Sequence, residues 1–241
     1  MKHILTFLFL VILITPAYNQ SDSIKNKLKA AAIISLNSDG IAPVPSFSLD
    51  KPAIIANLAL TKGRFSYEPG LAYSFELKPW YIDNWINYRI VNRDKFTFTV
   101  GFNASSFFSS DSSKRNKEIL KVQRYFTFAF TAWFRLSENS GLTASYWSDN
   151  GQDGGDKGHF ATLIAERTHM LTGKKTFFNA SLQVFYINYE GNSDGLFVTP
   201  RVSFNIVNFP LSVFILGTQA VQSNIEPFPE FKWNAGIAYT M

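Results

Sequence analysis

The chain has 241 residues, of which 46% are hydrophobic, 16% aromatic and 17% charged, and it contains no cysteine. A formal charge of +5 without a dense Lys/Arg block excludes nucleic acid as a partner, and the missing cysteines exclude disulfides, thiolate metal sites and cysteine nucleophiles. The apolar content is too low for a helical membrane protein, yet 24 Phe, 10 Tyr and 5 Trp are more aromatic surface than one soluble core of this size has to bury.

The first element is "MKHILTFLFLVILITPAYNQ". Lys2 precedes an apolar run from Ile4 to Ile14, and Pro16 with small or polar residues follows. This is the pattern of a secretory signal peptide over 1–20, cleaved between Ala17 and Ser21, ahead of a mature domain over 21–241. The run is shorter than the roughly 20 residues a spanning helix needs. Without a cysteine the exported chain cannot be a lipoprotein.

From residue 27 onward the apolar pattern has period two, which predicts an all-β chain. Twelve strands are expected, at 27–36, 47–61, 65–77, 80–91, 95–108, 119–135, 142–149, 159–170, 176–189, 196–207, 210–221 and 230–241. The second is the weakest, because Pro52 cannot donate to a ladder. Ten strands, with that region as a loop or plug, is the alternative count.

Face by face, the strands differ from those of a soluble sandwich. In "KFTFTVGFNASSFF", Phe96, Phe98, Val100 and Phe102 share one face, while Thr97, Thr99, Gly101 and Asn103 share the other. In "RYFTFAFTAWFRL", Phe126, Phe128, Phe130 and Phe134 oppose Tyr125, Thr127, Ala129 and Thr131. Large aromatics suit lipid contact, and small uncharged polar residues suit an enclosed interior.

The connections also alternate. Short links fall at 61–64, 92–94, 137–141, 172–175 and 207–210, and longer polar loops at 37–46, 109–117, 149–158, 190–195 and 222–229. "LKPWY" at 77–81 is the exception, a tight turn on the loop side. Together these features predict a single antiparallel transmembrane β-barrel in the outer membrane, with both termini periplasmic. A soluble lipocalin-like barrel is the competing fold.

Two stretches, "FSLDKPAIIANLALTKGRFSYEPGLAYSFELKPW" (47–80) and "SNIEPFPEFKWNAGIAYTM" (223–241), with "HFATL" (159–163) between them, resemble uncharacterised outer-membrane β-barrel proteins of Bacteroidota-type bacteria. The resemblance implies an exported single-domain barrel and no particular activity.

Several residues are candidates for function. Charges on faces assigned to the lumen are Glu68, Glu76, Asp83, Arg89, Arg167, Arg201 and Lys232. Charges of both signs in an interior imply paired packing or a hydrated passage, so these are candidate constriction residues of a narrow porin-like channel for small solutes. A non-conducting barrel for adhesion, envelope structure or partner binding is the second reading.

The third reading is a lipid hydrolase. "SYWSDNGQDGG" places an Asn150-Gly151 loop after a strand, as twelve-stranded outer-membrane phospholipases do, and Ser148 could meet His159 as nucleophile and base. Asp149, Asp153 and Asp156 form an acidic loop cluster, but the bidentate Glu of a calcium loop is missing. With His159 and His169 the only histidines after the export segment, no cofactor or metal is expected. In the last strand Phe231, Trp233, Ile237 and Tyr239 alternate as lipid-facing marks of the kind barrel-assembly machinery reads. Outer-membrane lipid and that machinery are the expected partners.

Overall fold

The structure is a computed structural model and describes residues 27–42, 48–112, 118–153, 157–170, 173–190, 193–226 and 230–241. The expected export segment and Asp156 lie outside the described residues.

Twelve strands follow in chain order: β1 (Lys29–Asn37), β2 (Ala53–Lys62), β3 (Phe65–Ser74), β4 (Pro79–Arg93), β5 (Phe96–Ser112), β6 (Glu118–Ser137), β7 (Ser140–Gly151), β8 (Lys157–Met170), β9 (Thr176–Tyr189), β10 (Ser193–Ile206), β11 (Leu211–Ser223) and β12 (Lys232–Thr240). Each pairs antiparallel with the next, and β12 pairs with β1 from Ile33↔Thr240 to Asn37↔Gly236, closing the barrel. Closure removes every sheet edge, so the main-chain polar groups are satisfied within the wall. The short links and both ends of the described chain lie on one rim, here the turn rim; the longer loops lie on the other, the loop rim.

The weak second segment forms a full strand, so the count is twelve and not ten. It begins after Pro52, whose carbonyl accepts from Phe75 N–H at 3.1 Å while its own nitrogen has nothing to donate. Residues 48–50, expected as strand, belong to the loop. The tight turn after β3 is present: Ser74 N–H donates to Lys78 O at 2.9 Å, and Leu77 has φ 59°.

Of the loop expected over 109–117, residues 109–112 belong to the ladder. Pairing of β5 with β6 continues from Phe96↔Phe134 to Ser112↔Glu118, so strands of 17 and 20 residues extend past the roughly ten that a membrane requires. Two prolines inside strands interrupt pairing on one side only. Pairs are missing between Asn57↔Gly70 and Leu60↔Tyr67 beside Pro69, and between Val198↔Gln219 and Arg201↔Leu216 beside Pro200. A proline cannot donate there, and the opposite ladder carries the strand.

The registers sort every side chain to one of two faces. Leu36, Leu71, Ile86, Phe128, Phe130, Leu163, Leu182, Val202, Val213, Ile215, Trp233 and Ile237 are all exposed on the outer surface. An apolar belt running round all sides of a closed barrel is solvated by lipid, not by water. Cross-strand ring pairs such as Phe98–Phe130 at 6.5 Å and Phe102–Phe128 at 5.2 Å knit this belt together.

Candidate functional site

The inward faces do not carry only small polar residues. Phe160, Phe185, Ile187, Phe197 and Ala220 form a buried apolar cluster with Ile225, and the Phe185 and Phe197 rings stack at 4.9 Å. These side chains are in phase with inward-facing Gln183 and Thr199, so they line one wall of the lumen. They narrow a barrel that small side chains would leave open.

Residues 38–42 and 48–52, between β1 and β2, fold into the mouth on the loop rim. Gly40 N–H donates to Lys51 O at 2.8 Å, Leu49 N–H donates to Gly40 O at 2.7 Å, and Ala42 packs with Ala53, Ala72 and Trp80. Lys232, inward on β12, pairs with Asp50 of this loop and fastens it to the wall. Ser38 Oγ donates to Asn234 Oδ1 at 3.2 Å, and Asn234 Nδ2 donates to Asn37 Oδ1 at 2.9 Å. Burial, followed by nearby Asp50, pushes the Asp39 carboxyl above the usual carboxylate range, and Lys232 opposes that shift.

Three neighbouring cavities share lining residues. An outer one of about 560 Å³ at the loop rim includes Lys51, Lys78, Trp80 and Phe107 in its lining. A middle chamber of about 270 Å³ shares Trp80 and Phe107 with it and adds Tyr81, Asp83, Trp85, Thr127, Trp147, Asp149 and Phe160. An inner one of about 310 Å³ shares Asp83 and Trp85 with the chamber and runs along Ala31, Asn57, Ala59, Glu68 and Gly70 toward the turn rim.

The chamber is built where β4 leaves its ladder. Pairing of β4 with β5 is interrupted between Ile82↔Ser106 and Trp85↔Asn103, and side chains replace it. Asn84 N–H donates to Asn103 Oδ1 at 2.8 Å, and Asn84 Nδ2 donates to Ala104 O at 3.2 Å. Asn103 Nδ2 in turn donates to Asp83 Oδ1 at 3.2 Å, which orients that carboxylate. Opposite it, Thr127 Oγ1 donates to Asp149 Oδ1.

The sequence-derived candidates separate as follows. Glu68, Asp83, Arg89, Arg201 and Lys232 stand on inward faces. Ser66 Oγ donates to Glu68 Oε1 at 2.5 Å, and the Arg201 guanidinium lies 4.5 Å from the centroid of the Phe214 ring. Glu76 is not on β3. It sits in the tight turn at the loop rim, 3.5 Å from Lys78 Nζ, because the strand ends at Ser74.

Arg167 stands on the outward face, since its partners Ser140 and Ala180 are in phase with lipid-facing Leu142 and Leu182. The inward charge of that segment is Glu166, which accepts from Trp133 Nε1 at 3.3 Å. A one-residue change of phase exchanges the faces of a strand, and the apolar alternation through Leu163 and Ala165 already carries the outward phase into Arg167.

Ser148 and His159 are direct cross-strand partners, but on the outward face. His159 Nδ1 pairs with Tyr146 OH at 2.8 Å. The acidic loop cluster is dispersed: Asp149 points inward to Thr127, whereas Asp153 accepts from Arg124 Nε at 3.0 Å and from its Nη2 at 2.6 Å. Arg124 holds the Asp153 carboxyl down at about 2. Among the described residues no group of three His, Asp or Glu is placed to hold a metal ion.

The fold and lumen define a closed twelve-stranded transmembrane β-barrel with a narrowed, charged interior. It shares the fold of bacterial outer-membrane porins. A KdgM porin structure matches with a TM-score of 0.57 at 8% identity, covering 87% of this chain and 98% of that one. A NanC porin matches with 0.51 at 8%, covering 88% and 99%, and an outer membrane channel from Pseudomonas putida F1 with 0.50 at 10%, covering 88% and 94%. No protein-family model and no curated protein matches the sequence.

Proposed function

We propose that the protein is an outer-membrane channel that passes small solutes through a narrow lumen. The observation that carries this reading is the row of three neighbouring cavities, the first two sharing Trp80 and Phe107 in their walls and the last two Asp83 and Trp85. A sealed barrel would fill that space with interlocking side chains; here Ala31, Ala59 and Gly70 leave it open on the inner half. Glu68, Asp83, Arg89, Arg201 and Lys232 are the proposed pathway charges, with Asp149 added to them. Glu76 and Arg167, being at the rim and on the outer face, are left out.

The chamber carries Asp83 and Asp149, so the passage favours cations and neutral solutes over anions. One KdgM porin structure was determined in complex with disordered oligogalacturonate. Such a polyanion is a poor match for a chamber with two carboxylates. In this reading the chain is exported by its first 20 residues, both termini face the periplasm, and Phe231, Trp233, Ile237 and Tyr239 are read during assembly. The resemblance to Bacteroidota-type barrels supports the same envelope.

Planar-bilayer recording of the purified barrel tests the proposal. Discrete conductance steps with a reversal potential favouring cations are expected, with that preference reduced in Asp83→Asn and Asp149→Asn. A membrane that stays silent at every voltage would remove the channel and leave a non-conducting barrel.

A further inference from the structure

Two sets of carboxylates in this protein contrast. Four at the loop rim have cationic partners: Asp50 with Lys232, Glu76 with Lys78, Asp153 with Arg124, and Glu190 with Lys157. Asp83 and Asp149 face one chamber of about 270 Å³, and among the described residues that line it there is no Lys, Arg or His. Their side-chain partners are the neutral Asn103 and Thr127. Two like charges in one small cavity repel, and water-sized space alone compensates them poorly.

Much of the remaining wall is aromatic, beside Ser105, Thr162 and Gln183. Trp85 and Trp147 meet at 5.4 Å, Trp147 and Phe160 at 6.4 Å, and Trp80 and Tyr81 at 4.9 Å. Among the described residues no third carboxylate or His joins this pair to hold a metal ion, and ring faces are not ligands for calcium or magnesium. Ring faces attract a cation whose own groups are apolar, and the attraction grows where water is displaced. The cavity volume is below the range that holds drug-sized ligands, which limits the occupant to a few carbons around its charge.

We propose that the middle chamber is a binding subsite for a small alkylated ammonium ion, held between Asp83 and Asp149 against Tyr81, Trp85, Trp147 and Phe160. The proposal extends the reading of the lumen as a solute passage, but binding and current are separate observables. A cation resting there would offset one of the two carboxylate charges and slow its own transit, as a selective site in a channel does.

The test uses the full chain folded in detergent, with choline as the probe and 3,3-dimethylbutanol as its neutral isostere. Titration calorimetry and tryptophan fluorescence read the binding. Choline is expected to bind at least about tenfold more tightly than the isostere, and less tightly as salt rises. Asp83→Asn/Asp149→Asn is expected to lose about tenfold or more. Trp147→Leu, which leaves both carboxylates in place, is expected to weaken choline more than sodium.

Heat-modifiable gel migration establishes that each variant is folded. Equal binding of choline and its isostere, unchanged affinity in a folded variant of either kind, or displacement of choline by maltose would overturn the subsite. Binding without current removes the channel and leaves the subsite standing. Current without binding removes the subsite alone.

Discussion

Trp85 and Trp147 touch inside the barrel with ring centroids 5.4 Å apart, although they belong to β4 and β7, strands separated in the wall by β5 and β6. The contact is possible because the inward positions of the two intervening strands are small: Gly101 and Ala129 are register partners there. A Cβ on Gly101 would lie 2.4 Å from Asn87 Oδ1 and 3.4 Å from the Trp85 ring. The pair therefore closes a segment of the lumen beside the chamber. Trp147→Ala is expected to raise single-channel conductance by roughly twofold or more, and Gly101→Val, which pushes Trp85 inward, to lower it. Bilayer recordings with both variants decide this, and an unchanged conductance in both would place the narrowest point elsewhere.

One ion pair ties the loop in the mouth to β12 beside its hydrogen bonds and its packing on Trp80. Lys232→Ala leaves Asp50 without its partner and removes the charge that opposes the raised ionisation of Asp39. Because the Asp39 carboxyl is raised in the folded protein, closure is favoured at low pH and is lost as pH rises through that raised value. The variant is expected to show noisier, larger currents at neutral pH that quieten on acidification. Wild-type protein should show the smaller change of the two.

Asp153 behaves with the opposite sign. Its carboxyl is held at about 2 by Arg124, below the ordinary carboxylate value near 4. The tie between β6 and the loop after β7 is present above the ordinary value and fades as pH falls toward about 2. NMR titration of a ¹³C-labelled Asp153 carboxyl measures this directly. Arg124→Gln should move its midpoint up toward that of a free aspartate.

Barrel closure has its own weak point at Gly236. A Cβ there would meet the Leu36 carbonyl oxygen at 2.5 Å and the Phe214 ring at 2.5 Å. The carbonyl belongs to the β1 wall and cannot swing aside, so Gly236→Ala is expected to destabilise the barrel by about 1–3 kcal/mol. Loss of the heat-modifiable form at lower temperature is the readout, and an unshifted transition would mean that the seam yields freely.

Ser148 and His159 supply the last prediction. They face lipid as register partners, but the imidazole Nδ1 is engaged by Tyr146. Ser148→Ala and His159→Ala are expected to leave any phospholipid hydrolysis by the purified protein unchanged. A loss of hydrolysis in both would restore the lipase reading.

The sequence by itself determined the all-β class, the antiparallel order, a count of twelve strands with ten as the alternative, and the outward aromatic belt including Phe231, Trp233, Ile237 and Tyr239. These are local properties. Period two and turn residues are encoded within ten positions of one another, and β2 emerged from the segment after Pro52 in the same way.

The lumen was less legible, for a physical reason. Arg167 was assigned inward although Leu163 and Ala165 in its own strand set the outward phase, so that error was avoidable. The inward Phe185 and Phe197, by contrast, look like lipid-facing residues until the register brings them together. Asp149 reads as a loop acid until Thr127 is seen beside it, and Trp85 and Trp147 are 62 positions apart in sequence but in contact in space. What an inward side chain meets depends on strands across the barrel, and strand-level periodicity carries no information about that distance. Only the closed tertiary structure assembled the chamber.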